Sequence, residues 1–588
     1  MSYFKLIRLT FALLAAVLSA TMYNIFIKKE PSPTVKVKGG EMRGIIMKSR
    51  GGRDFYGYLG IPFALPATGS LRFQSPVPFP AWEGVWDASF NRPMCAQFDF
   101  MVSQIKLGSE DCLYLNVYAP ANIPDGKKLP VLVYIHGGYF HCGGTAFPGA
   151  HNFMDQNVVV VVLSYRLGAL GFLNTGDGVV RGNAGLKDQN LALKWVQENI
   201  AAFNGDKAKV TLVGESAGGA SIHYHMLSPA SKGLFSRAIR QSGSSLNYWT
   251  LYRNTKTQSQ HFARKFNCPI GNSEQMVECL RSLDVTTLLE GHRGLSAYPI
   301  PLIERFVPSL ETVKDEDAFI TEEPLEIIKS GTFNKVPVMA GFCNDEGLLH
   351  STVLWANQMK LDEVNDWFSW APKAFHYDAA RKDISQTLKD FYFGTNIKNL
   401  NSRDLIQNLT NLYGDRLFNV GICQTAHLEN KHVPTYMYLY GHEGGFSMGA
   451  LIAASQSKIH PIVGFIMERL RFLYVTSIMG EEYRHEVSGI GHADEYPLLW
   501  STPLWGGRIE KALVFTDKDV EISKDLVQLW VDFAMDKSPL KFRDVIFTPS
   551  EEGKPLKFLH IKYNDPKMID EPFQERKKLW ESLTIPAQ

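Results

Sequence analysis

The stretch that most constrains how this chain can fold is residues 210–220, which read V-T-L-V-G-E-S-A-G-G-A. Its apolar, β-branched start predicts a buried strand, and the small residues after Ser216 predict a helix that begins close to that strand. The Gly-x-Ser-x-Gly pattern between them predicts a sharp corner that presents the Ser216 hydroxyl. A serine oxygen is a poor nucleophile until a base removes its proton, so the pattern also predicts a basic partner elsewhere in the chain.

A second Gly-x-Ser-x-Gly pattern surrounds Ser447. A strand-like run at residues 436–440 precedes it, but a glycine-containing loop at 441–444 separates the run from the pattern. Such a motif carries chemistry only in its structural context. We therefore interpret Ser447 as part of a glycine-rich loop and Ser216 as the candidate nucleophile.

The rest of the chain predicts an α/β fold with a mostly parallel central sheet flanked by helices. Continuous apolar runs at 131–135, 158–163 and 336–342 are typical of strands covered on both faces. Strands that alternate with helices, as the pattern at 183–200 suggests, favour a parallel sheet. Other segments are predicted as antiparallel strands (34–58), loop (60–64), a half-buried strand (110–118), a helical insertion (404–425) and a late amphipathic helix (519–535).

Composition excludes several classes of protein. The chain has 588 residues, of which 45% are hydrophobic and 21% charged, as in ordinary globular proteins. The formal net charge is +1 and no long run of one sign occurs, so neither nucleic acid nor an anionic membrane surface is an expected partner. Length alone would favour about three or four domains.

The N-terminus predicts entry into the secretory pathway. Lys5 and Arg8 precede residues 9–27, which carry no charge. This segment fits a cleaved signal peptide, which we slightly favour, and it is also long enough for an uncleaved membrane anchor. We assign residues 1–27 to this segment and 28–33 to a linker. Either alternative delivers the rest of the chain to the lumen or the cell exterior.

The cysteines and one sequon agree with that compartment. Seven cysteines suit an oxidising environment, and an odd count leaves at least one unpaired. Residues 95 and 112, and residues 268 and 279, are close enough in sequence to close short loops. Asn408-Leu409-Thr410 is an acceptor tripeptide for N-linked glycosylation.

Two further segments supply the partners that Ser216 needs. Glu346 follows an apolar strand directly, at the kind of strand end where sites form in parallel sheets. His492 lies further on in a glycine-containing loop. The order nucleophile, acid, histidine is that of hydrolases in which the serine sits on a strand-to-helix corner.

With these segments in view, the chain resembles the type-B carboxylesterases, an α/β-hydrolase family that also contains cholinesterases and insect esterases. The resemblance covers nearly the whole chain after residue 34, which implies a single catalytic domain over residues 34–588. The matching stretches are residues 110–118, 136–138, 165–168, 214–219, 344–347 and 491–492.

The resemblance implies a role for each matching residue. Ser216 corresponds to the nucleophile, His492 to the general base and acid, and Glu346 to the carboxylate that orients the histidine. Backbone N–H groups of Gly138, Tyr139 and Ala217 correspond to the oxyanion hole. The family's two short disulfides correspond to Cys95–Cys112 and Cys268–Cys279, and its structural ion pair to Arg72 and Glu110.

Three departures from the family's pattern restrict the subfamilies that this chain resembles. Tyr139 stands where the family has glycine or alanine, and we expect its ring to restrict the acyl side of the pocket. No tryptophan lies between Cys95 and Cys112, where cholinesterases carry the aromatic face that a choline ester needs. Glu215 precedes the serine where insect juvenile hormone esterases typically have glutamine, so a hormone-specific esterase is the less favoured reading.

Other reactive residue types have simpler interpretations. His223 and His225 resemble a pair of metal ligands, but residues two apart on a helix point to different faces. We interpret them as core or surface histidines and predict no metal site. Cys142, in the oxyanion segment, is interpreted as an inert buried thiol.

These observations predict a cofactor-free hydrolase that acts on small to medium, largely apolar esters through an acyl-enzyme. Two alternatives remain at this stage. A non-catalytic adhesion or binding protein would suit an N-terminal anchor, although the complete serine, glutamate and histidine set argues against it. An esterase that sequesters esters and turns over slowly would be consistent with Tyr139.

Overall fold

The computed structural model describes residues 29–99, 105–124, 126–146, 148–296, 302–394, 397, 400–444, 447–449, 452, 489–501, 516–583 and 585. The predicted signal or anchor segment at 1–27 lies outside these residues. Among the described residues, we find no helix that combines the length and the apolar character needed to cross a bilayer.

One sheet of thirteen strands runs through the molecule in the order β1-β2-β3-β7-β9-β8-β10-β11-β12-β13-β16-β17, with β4 beside β2. The strands are β1 Pro31–Val37, β2 Gly40–Lys48, β3 Asp54–Pro62, β4 Val85–Asp87, β5 Gln97–Phe98, β6 Lys106–Leu107, β7 Tyr114–Pro120, β8 Leu129–Ile135, β9 Val159–Leu163, β10 Gly205–Glu215, β11 Arg237–Gln241, β12 Val338–Cys343, β13 Thr435–Tyr440, β14 Lys541–Phe542, β15 Val545–Ile546, β16 Lys557–Ile561 and β17 Lys567–Asp570. Two short pairs, β5-β6 and β14-β15, lie outside this sheet.

The seven neighbouring strands β9-β8-β10-β11-β12-β13-β16 are parallel to one another. At one end of the sheet, β1, β2, β3 and β7 pair antiparallel, and β7 is also antiparallel to β9. At the other end, β17 pairs antiparallel with β16. This arrangement confirms the predicted mixed, mostly parallel sheet with N-terminal antiparallel strands. Parallel strands need long crossover connections, and helices supply them here.

Helices cover both faces of the sheet and form the insertions of the second half. They are α1 Gly168–Phe172, α2 Ala184–Asn199, α3 Ala217–Leu227, α4 Thr255–Arg264, α5 Ser273–Ser282, α6 Val285–Glu290, α7 Pro324–Ser330, α8 Leu348–Trp355, α9 Gln358–Glu363, α10 Trp367–Phe375, α11 Lys382–Phe393, α12 Ser402–Gly414, α13 Val420–Glu429, α14 Tyr496–Leu499, α15 Asp517–Ala534 and α16 Gln574–Ser582. A π-helical turn, Asp415–Asn419, joins α12 to α13.

The core lies on both faces of the central strands. In β8, Val131 and Val133 point into a core that includes α2 and α3, while Leu132 and Tyr134 point into a second core that includes α15. All four side chains are buried. Burial on both faces explains why these strands read as continuous apolar runs rather than as alternating ones.

Two sequence predictions about strand boundaries are wrong. Residues 31–33, assigned to the end of a linker, instead begin β1, where Pro31 pairs with Ile45 and the Gly44 N–H donates to Ser32 Oγ at 2.9 Å. Proline is tolerated there because β1 is an edge strand. Residues 60–62, predicted as loop, extend β3, since an irregularity in register after Tyr58 lets pairing with β7 continue.

Two further boundaries differ from the predictions. The strand expected at 110–118 begins only at Tyr114, because a disulfide at Cys112 and an ion pair at Glu110 hold the preceding residues. The helical insertion predicted at 404–425 extends over residues 402–429 and consists of two helices, α12 and α13, separated by the π-helical turn.

Candidate active site

The corner after β10 holds Ser216 in a strained backbone conformation. Its φ of 57° and ψ of −120° lie in a backbone region that residues other than glycine rarely adopt. The Ser216 N–H donates to the Gln241 carbonyl on β11 at 2.8 Å, which ties the corner to the neighbouring strand. Strain of this kind is typical of a serine presented between a strand and a helix.

The glycines around the corner are required by close backbone contacts. A Cβ atom on Gly218 would lie 2.0 Å from the Ile135 carbonyl oxygen, and one on Gly214 would lie 2.6 Å from the Gly218 carbonyl carbon. Both distances are far below van der Waals contact. The two glycines therefore let α3 start directly against β8 and β10.

Glu346 and His492 form a buried pair in loops at the carboxyl end of the sheet. His492 Nδ1 lies 2.6 Å from Glu346 Oε2, and neither residue is more than 4% exposed. Glu346 Oε1 accepts hydrogen bonds from the Cys343 N–H at 2.7 Å and from the Ser242 hydroxyl at 2.5 Å. These bonds fix the carboxylate, so its contact with Nδ1 fixes one edge of the imidazole.

The other nitrogen of His492 lies 3.0 Å from Glu215 Oε1, the side chain next to Ser216 in sequence. No hydrogen bond joins the Ser216 hydroxyl to His492 within the described part of the chain. Burial acts to lower the pKa of His492, but the charges of Glu215 and Glu346 outweigh burial and raise that pKa well above its usual value. The imidazole therefore sits between two carboxylates, in an environment that favours its protonated form.

Two more buried carboxyl groups hold the loop that carries His492. Asp494 accepts the N–H groups of Gly491 and Met448, each at 2.7 Å. Glu495 accepts from Gln241 Nε2 at 3.1 Å, and burial raises its pKa to about 7. Burial likewise raises the pKa of Asp494 well above its usual value.

The segment that follows β8 has the sharp backbone expected of an oxyanion loop. Gly138 has a φ of 101° and Tyr139 a φ of 61°, both in the left-handed region. A Cβ atom on Gly138 would lie 2.0 Å from the Cys142 carbonyl oxygen, so only glycine fits there. Ala217, the third predicted donor, is the first residue of α3.

The ring of Tyr139 stacks on the buried indole of Trp249, with centroids 5.2 Å apart and an interplanar angle of 23°. The Arg305 guanidinium lies 5.6 Å from the centroid of the Tyr139 ring. Burial raises the pKa of the Tyr139 hydroxyl. The ring is thus packed between an aromatic side chain and a cation.

Cysteine pairing and the ion pair agree with the positions implied by the resemblance. Both disulfides, Cys95–Cys112 and Cys268–Cys279, are present. The Arg72 guanidinium donates twice to the Glu110 carboxylate, at 2.6 and 2.7 Å. The free cysteines are buried, and burial raises the pKa of each thiol; they are Cys142, Cys343 and Cys423.

His223 and His225 are buried core residues of α3, as predicted. His225 Nδ1 lies 2.7 Å from the Ser231 hydroxyl and its Nε2 lies 3.0 Å from Gln189 Oε1. His223 Nε2 lies 3.0 Å from Glu429 Oε1. No group of side chains suited to a metal ion occurs in the described ranges.

Two further sequence candidates are Ser447 and the glycosylation acceptor Asn408. β13 ends at Tyr440, so no strand leads directly into Ser447; residues 445 and 446 lie outside the described part of the chain. Asn408 lies on α12 and is half-buried, and the Thr410 side chain of its sequon is only 1% exposed. The Thr410 hydroxyl donates to the Ile406 carbonyl at 2.8 Å.

Sequence reasoning missed several residues that contact the candidate site. Glu215 was noted only as a marker of subfamily, although its position next to Ser216 could have suggested a contact with the histidine. Ser242 lies in a Gln-Ser-Gly turn after β11 and could have been found as a polar residue at a strand end. Trp249 and Phe418 gave no local signal.

Comparison with known proteins identifies the family. The carboxylesterase family matches residues 31–580, which is most of the chain. The chain belongs to the carboxylesterase family. It therefore has the α/β-hydrolase fold and is a carboxylic ester hydrolase.

Individual carboxylesterases match over long stretches. Juvenile hormone esterase of Tribolium castaneum is 35% identical over 558 residues, which cover 90% of this chain and 89% of the relative. Esterase E4 of Myzus persicae is 37% identical over 71% of this chain and 76% of its own length. A carboxylic ester hydrolase of Bombus ignitus is 31% identical over 93% of each chain.

Proposed function

We propose that this carboxylesterase hydrolyses small to medium, largely apolar esters through an acyl-enzyme formed on Ser216. The observation that carries the proposal is the buried Glu346–His492 pair beside the strained Ser216 corner. Residues 34–588 would then act as one catalytic domain. Acyl transfer of this kind uses only protein groups and water, so no cofactor is part of the proposal.

In the first half of the reaction, Ser216 Oγ attacks the ester carbonyl while His492 Nε2 takes the hydroxyl proton. Glu346 holds the imidazole by Nδ1 and stabilises the imidazolium that forms. The N–H groups of Gly138, Tyr139 and Ala217 donate to the developing oxyanion, and losing one such donor typically costs about 3 kcal/mol of barrier. His492 then protonates the departing alcohol.

In the second half, water attacks the acyl-Ser216 carbonyl and His492 again takes a proton. The carboxylic acid leaves and the serine hydroxyl is restored. Each half requires His492 Nε2 to face the reacting oxygen instead of Glu215. In the absence of substrate, hydrogen bonds of this kind are often loose and tighten only when the ester is bound.

The test compares hydrolysis of p-nitrophenyl acetate by the wild type, by Ser216→Ala and by Ser447→Ala. Ser447→Ala is a matched control because it removes the same hydroxyl from the other Gly-x-Ser-x-Gly pattern. We expect turnover to fall by at least about 10⁴-fold in Ser216→Ala and to remain in Ser447→Ala. Equal loss in both variants, or full turnover in Ser216→Ala, would sink the assignment.

Tyr139 supports a preference for short acyl groups, because its ring occupies space next to a proposed oxyanion donor. We expect Tyr139→Ala to raise kcat/KM for p-nitrophenyl octanoate relative to the acetate by about tenfold, since a few methylene groups in a pocket carry that much selectivity. Tyr139→Phe keeps the ring and serves as the control. An unchanged chain-length profile in Tyr139→Ala would show that the ring does not limit the pocket.

A slow, ester-sequestering enzyme is the second candidate, and the 3.0 Å contact between His492 and Glu215 supports it, because that contact competes with Ser216 for Nε2. Stopped-flow hydrolysis separates the two. A burst of about one equivalent followed by a stalled phase favours sequestration, whereas sustained turnover favours the ordinary esterase. A juvenile hormone ester is not our preferred substrate, since Glu215 stands where such esterases typically have glutamine.

We also propose that the protein enters the secretory pathway, with a signal peptide cleaved within the segment 1–27, near residue 20, and Asn408 available for glycosylation. The disulfides Cys95–Cys112 and Cys268–Cys279 support an oxidising compartment. Expression in insect cells with N-terminal sequencing of the product tests this. A product that starts near residue 20 in the medium fits the proposal, and a membrane-bound product that retains residue 1 favours the anchor.

A further inference from the structure

The imidazole of His492 is covered on one face by the ring of Phe418. The two ring centroids are 4.4 Å apart and the planes are inclined by 29°, so the rings stack. Both side chains are almost completely buried. In this structure Glu346 contacts Nδ1 and Glu215 contacts Nε2 of the imidazole. When Nε2 turns from Glu215 to Ser216, as the proposed mechanism requires, the contact at Nδ1 alone leaves the ring free to tilt about that edge. The Phe418 face opposes this tilt.

Phe418 is held by an unusual piece of backbone. It lies in the π-helical turn Asp415–Asn419, where the Val420 N–H donates to the Asp415 carbonyl. π-helical turns are rare and often occur at functional sites, because the wider turn moves side chains out of α-helical register. Here the turn directs Phe418 towards His492.

The loop after β11 fastens this turn from outside the helix. Trp249 Nε1 donates to the Leu417 carbonyl at 2.8 Å, and Asn247 Nδ2 donates to the Phe418 carbonyl at 2.8 Å. A Cβ atom on Gly421 would lie 2.6 Å from Asn247 Nδ2, so glycine permits the close approach of loop and helix. Two side-chain donors therefore fix the carbonyls on and next to Phe418.

Trp249 also connects Phe418 to the proposed oxyanion loop. Its ring meets the edge of Phe418 with centroids 6.2 Å apart and stacks on Tyr139 at 5.2 Å. A continuous aromatic series thus runs from Tyr139 through Trp249 and Phe418 to His492. It contacts both the segment expected to stabilise the oxyanion and the side chain expected to move the proton.

We infer that Phe418 is a positioning residue that keeps the His492 imidazole in the plane from which Nε2 can reach Ser216, and that Trp249 holds Phe418 in place. Phe418 takes no part in bond making. The inference rests on the proposed function, since it assigns Phe418 a role in how that function is performed. Misplacing a reacting group by about 1 Å can cost about 10²-fold in rate, so a small tilt of the imidazole is enough to matter.

The test compares Phe418→Leu, Phe418→Tyr and Phe203→Leu with the wild type, all as the full chain. Phe203→Leu is the matched control, because Phe203 is equally buried and packs its ring on Tyr58 with centroids 5.1 Å apart, remote from the Ser216 corner. Hydrolysis of p-nitrophenyl acetate gives kcat and KM, a fluorophosphonate that labels Ser216 gives the inactivation rate, and thermal unfolding gives the midpoint.

We expect Phe418→Leu to lower kcat and the phosphonylation rate about 10-fold to 10²-fold with KM changed less than about twofold, because the imidazole tilts while the pocket remains. Phe418→Tyr retains the ring face and should stay within about threefold of wild type. Phe203→Leu should lower the unfolding midpoint as much as Phe418→Leu does, but should leave kcat unchanged.

A Phe418→Leu enzyme with wild-type kcat would overturn the inference, and so would a Phe203→Leu enzyme whose kcat falls equally, since the effect would then be general loosening of the core. If Phe418→Tyr does not fold, the difference in kcat between Phe418→Leu and Phe203→Leu still tests the positioning role of Phe418. A wild type that neither turns over the ester nor reacts with the phosphonate sinks the proposed function itself.

Discussion

Two buried histidines of this protein each lie against a glutamate, yet their environments shift the pKa of the imidazole in opposite directions. His223, on the helix after Ser216, is 3.0 Å from Glu429, and Arg240 donates to the same carboxylate at 3.0 Å. Burial and the Arg240 charge together lower the pKa of His223, against the pull of Glu429. His492 has carboxylates at both nitrogens, and its pKa is raised despite burial.

Contact with a carboxylate therefore does not by itself make a histidine a candidate base. At His223 the arginine satisfies the glutamate, and the imidazole stays neutral as part of the core. At His492 both carboxylates act on the ring and favour its protonated form, which is the form that the proposed mechanism generates when the imidazole takes the Ser216 proton. The balance of nearby charges distinguishes the two sites.

The largest effect should come from removing each histidine in turn. We expect His492→Asn to lower kcat by at least about 10⁴-fold, because the proposed base for the Ser216 proton is lost. His223→Asn should keep kcat within about threefold while the unfolding midpoint falls, since a buried hydrogen-bonding side chain is lost. Kinetics with p-nitrophenyl acetate and thermal unfolding measure both. Similar loss of kcat in the two variants would break the distinction.

Removing the two glutamate charges should separate catalysis from stability. Glu346→Gln should lower kcat about 10³-fold to 10⁴-fold with a small change in stability, because the orienting carboxylate is lost but an amide still fits. Glu429→Gln leaves Arg240 buried without its counter-charge and should cost about 3–5 kcal/mol in the free energy of unfolding. Denaturant unfolding together with kcat per folded molecule checks this. A large loss of stability in Glu346→Gln together with a large loss of kcat in Glu429→Gln would contradict these roles.

Removing the charge of Glu215 should have a smaller effect, through the pKa of His492. The general base must be neutral, so a raised pKa of His492 moves the acidic limb of kcat/KM to higher pH. Glu215→Gln removes one of the charges that raise this pKa, and the limb should therefore shift to lower pH, while the plateau rate stays within about tenfold. A pH profile of kcat/KM measures the shift. A limb that stays in place, or moves to higher pH, would exclude this electrostatic role.

The smallest effect concerns stability as a function of pH. A raised folded-state pKa gives His492 a stabilising contribution that is complete below about pH 6.5, the ordinary value, and is lost as the pH rises through the folded-state pKa. The lowered pKa of His223 gives a contribution that is lost as the pH falls below that ordinary value. Unfolding midpoints should change by about 1–3 °C: His492→Asn flattens the profile above pH 6.5, and His223→Asn flattens it below. If both substitutions flattened the stability profile on the same side of pH 6.5, the opposite directions of the two pKa shifts would be contradicted.

Much of the sheet and the positions of the three candidate catalytic residues could be predicted from sequence. Strands buried on both faces, such as β8, leave unbroken apolar runs, and a residue that follows such a strand must lie at the sheet's carboxyl edge. This reasoning placed Glu346 at that edge, and the Gly-x-Ser-x-Gly pattern after a buried strand placed Ser216 there. The resemblance to the family added the oxyanion segment and the cysteine pairs.

The remaining features depend on contacts that a local pattern does not encode. The contact of Glu215 with His492 joins segments far apart in sequence. The helical segment predicted at 404–425 did not reveal the π-helical turn at Asp415–Asn419, because such a turn differs from an α-helix in its hydrogen bonds and not in its residue types. Phe418 was therefore assigned no direction, and its stacking on His492 was not foreseen.

The burial of Thr410 has a consequence for the order of events during synthesis. Glycosylation of Asn408 requires the modifying enzyme to read the threonine hydroxyl, which in the folded protein is buried and bonded to the Ile406 carbonyl. In a chain that folds in the secretory lumen, the sequon is accessible only until α12 docks. Occupancy of Asn408 would then report on the competition between sugar transfer and folding, and a variant that folds more slowly would carry more glycan.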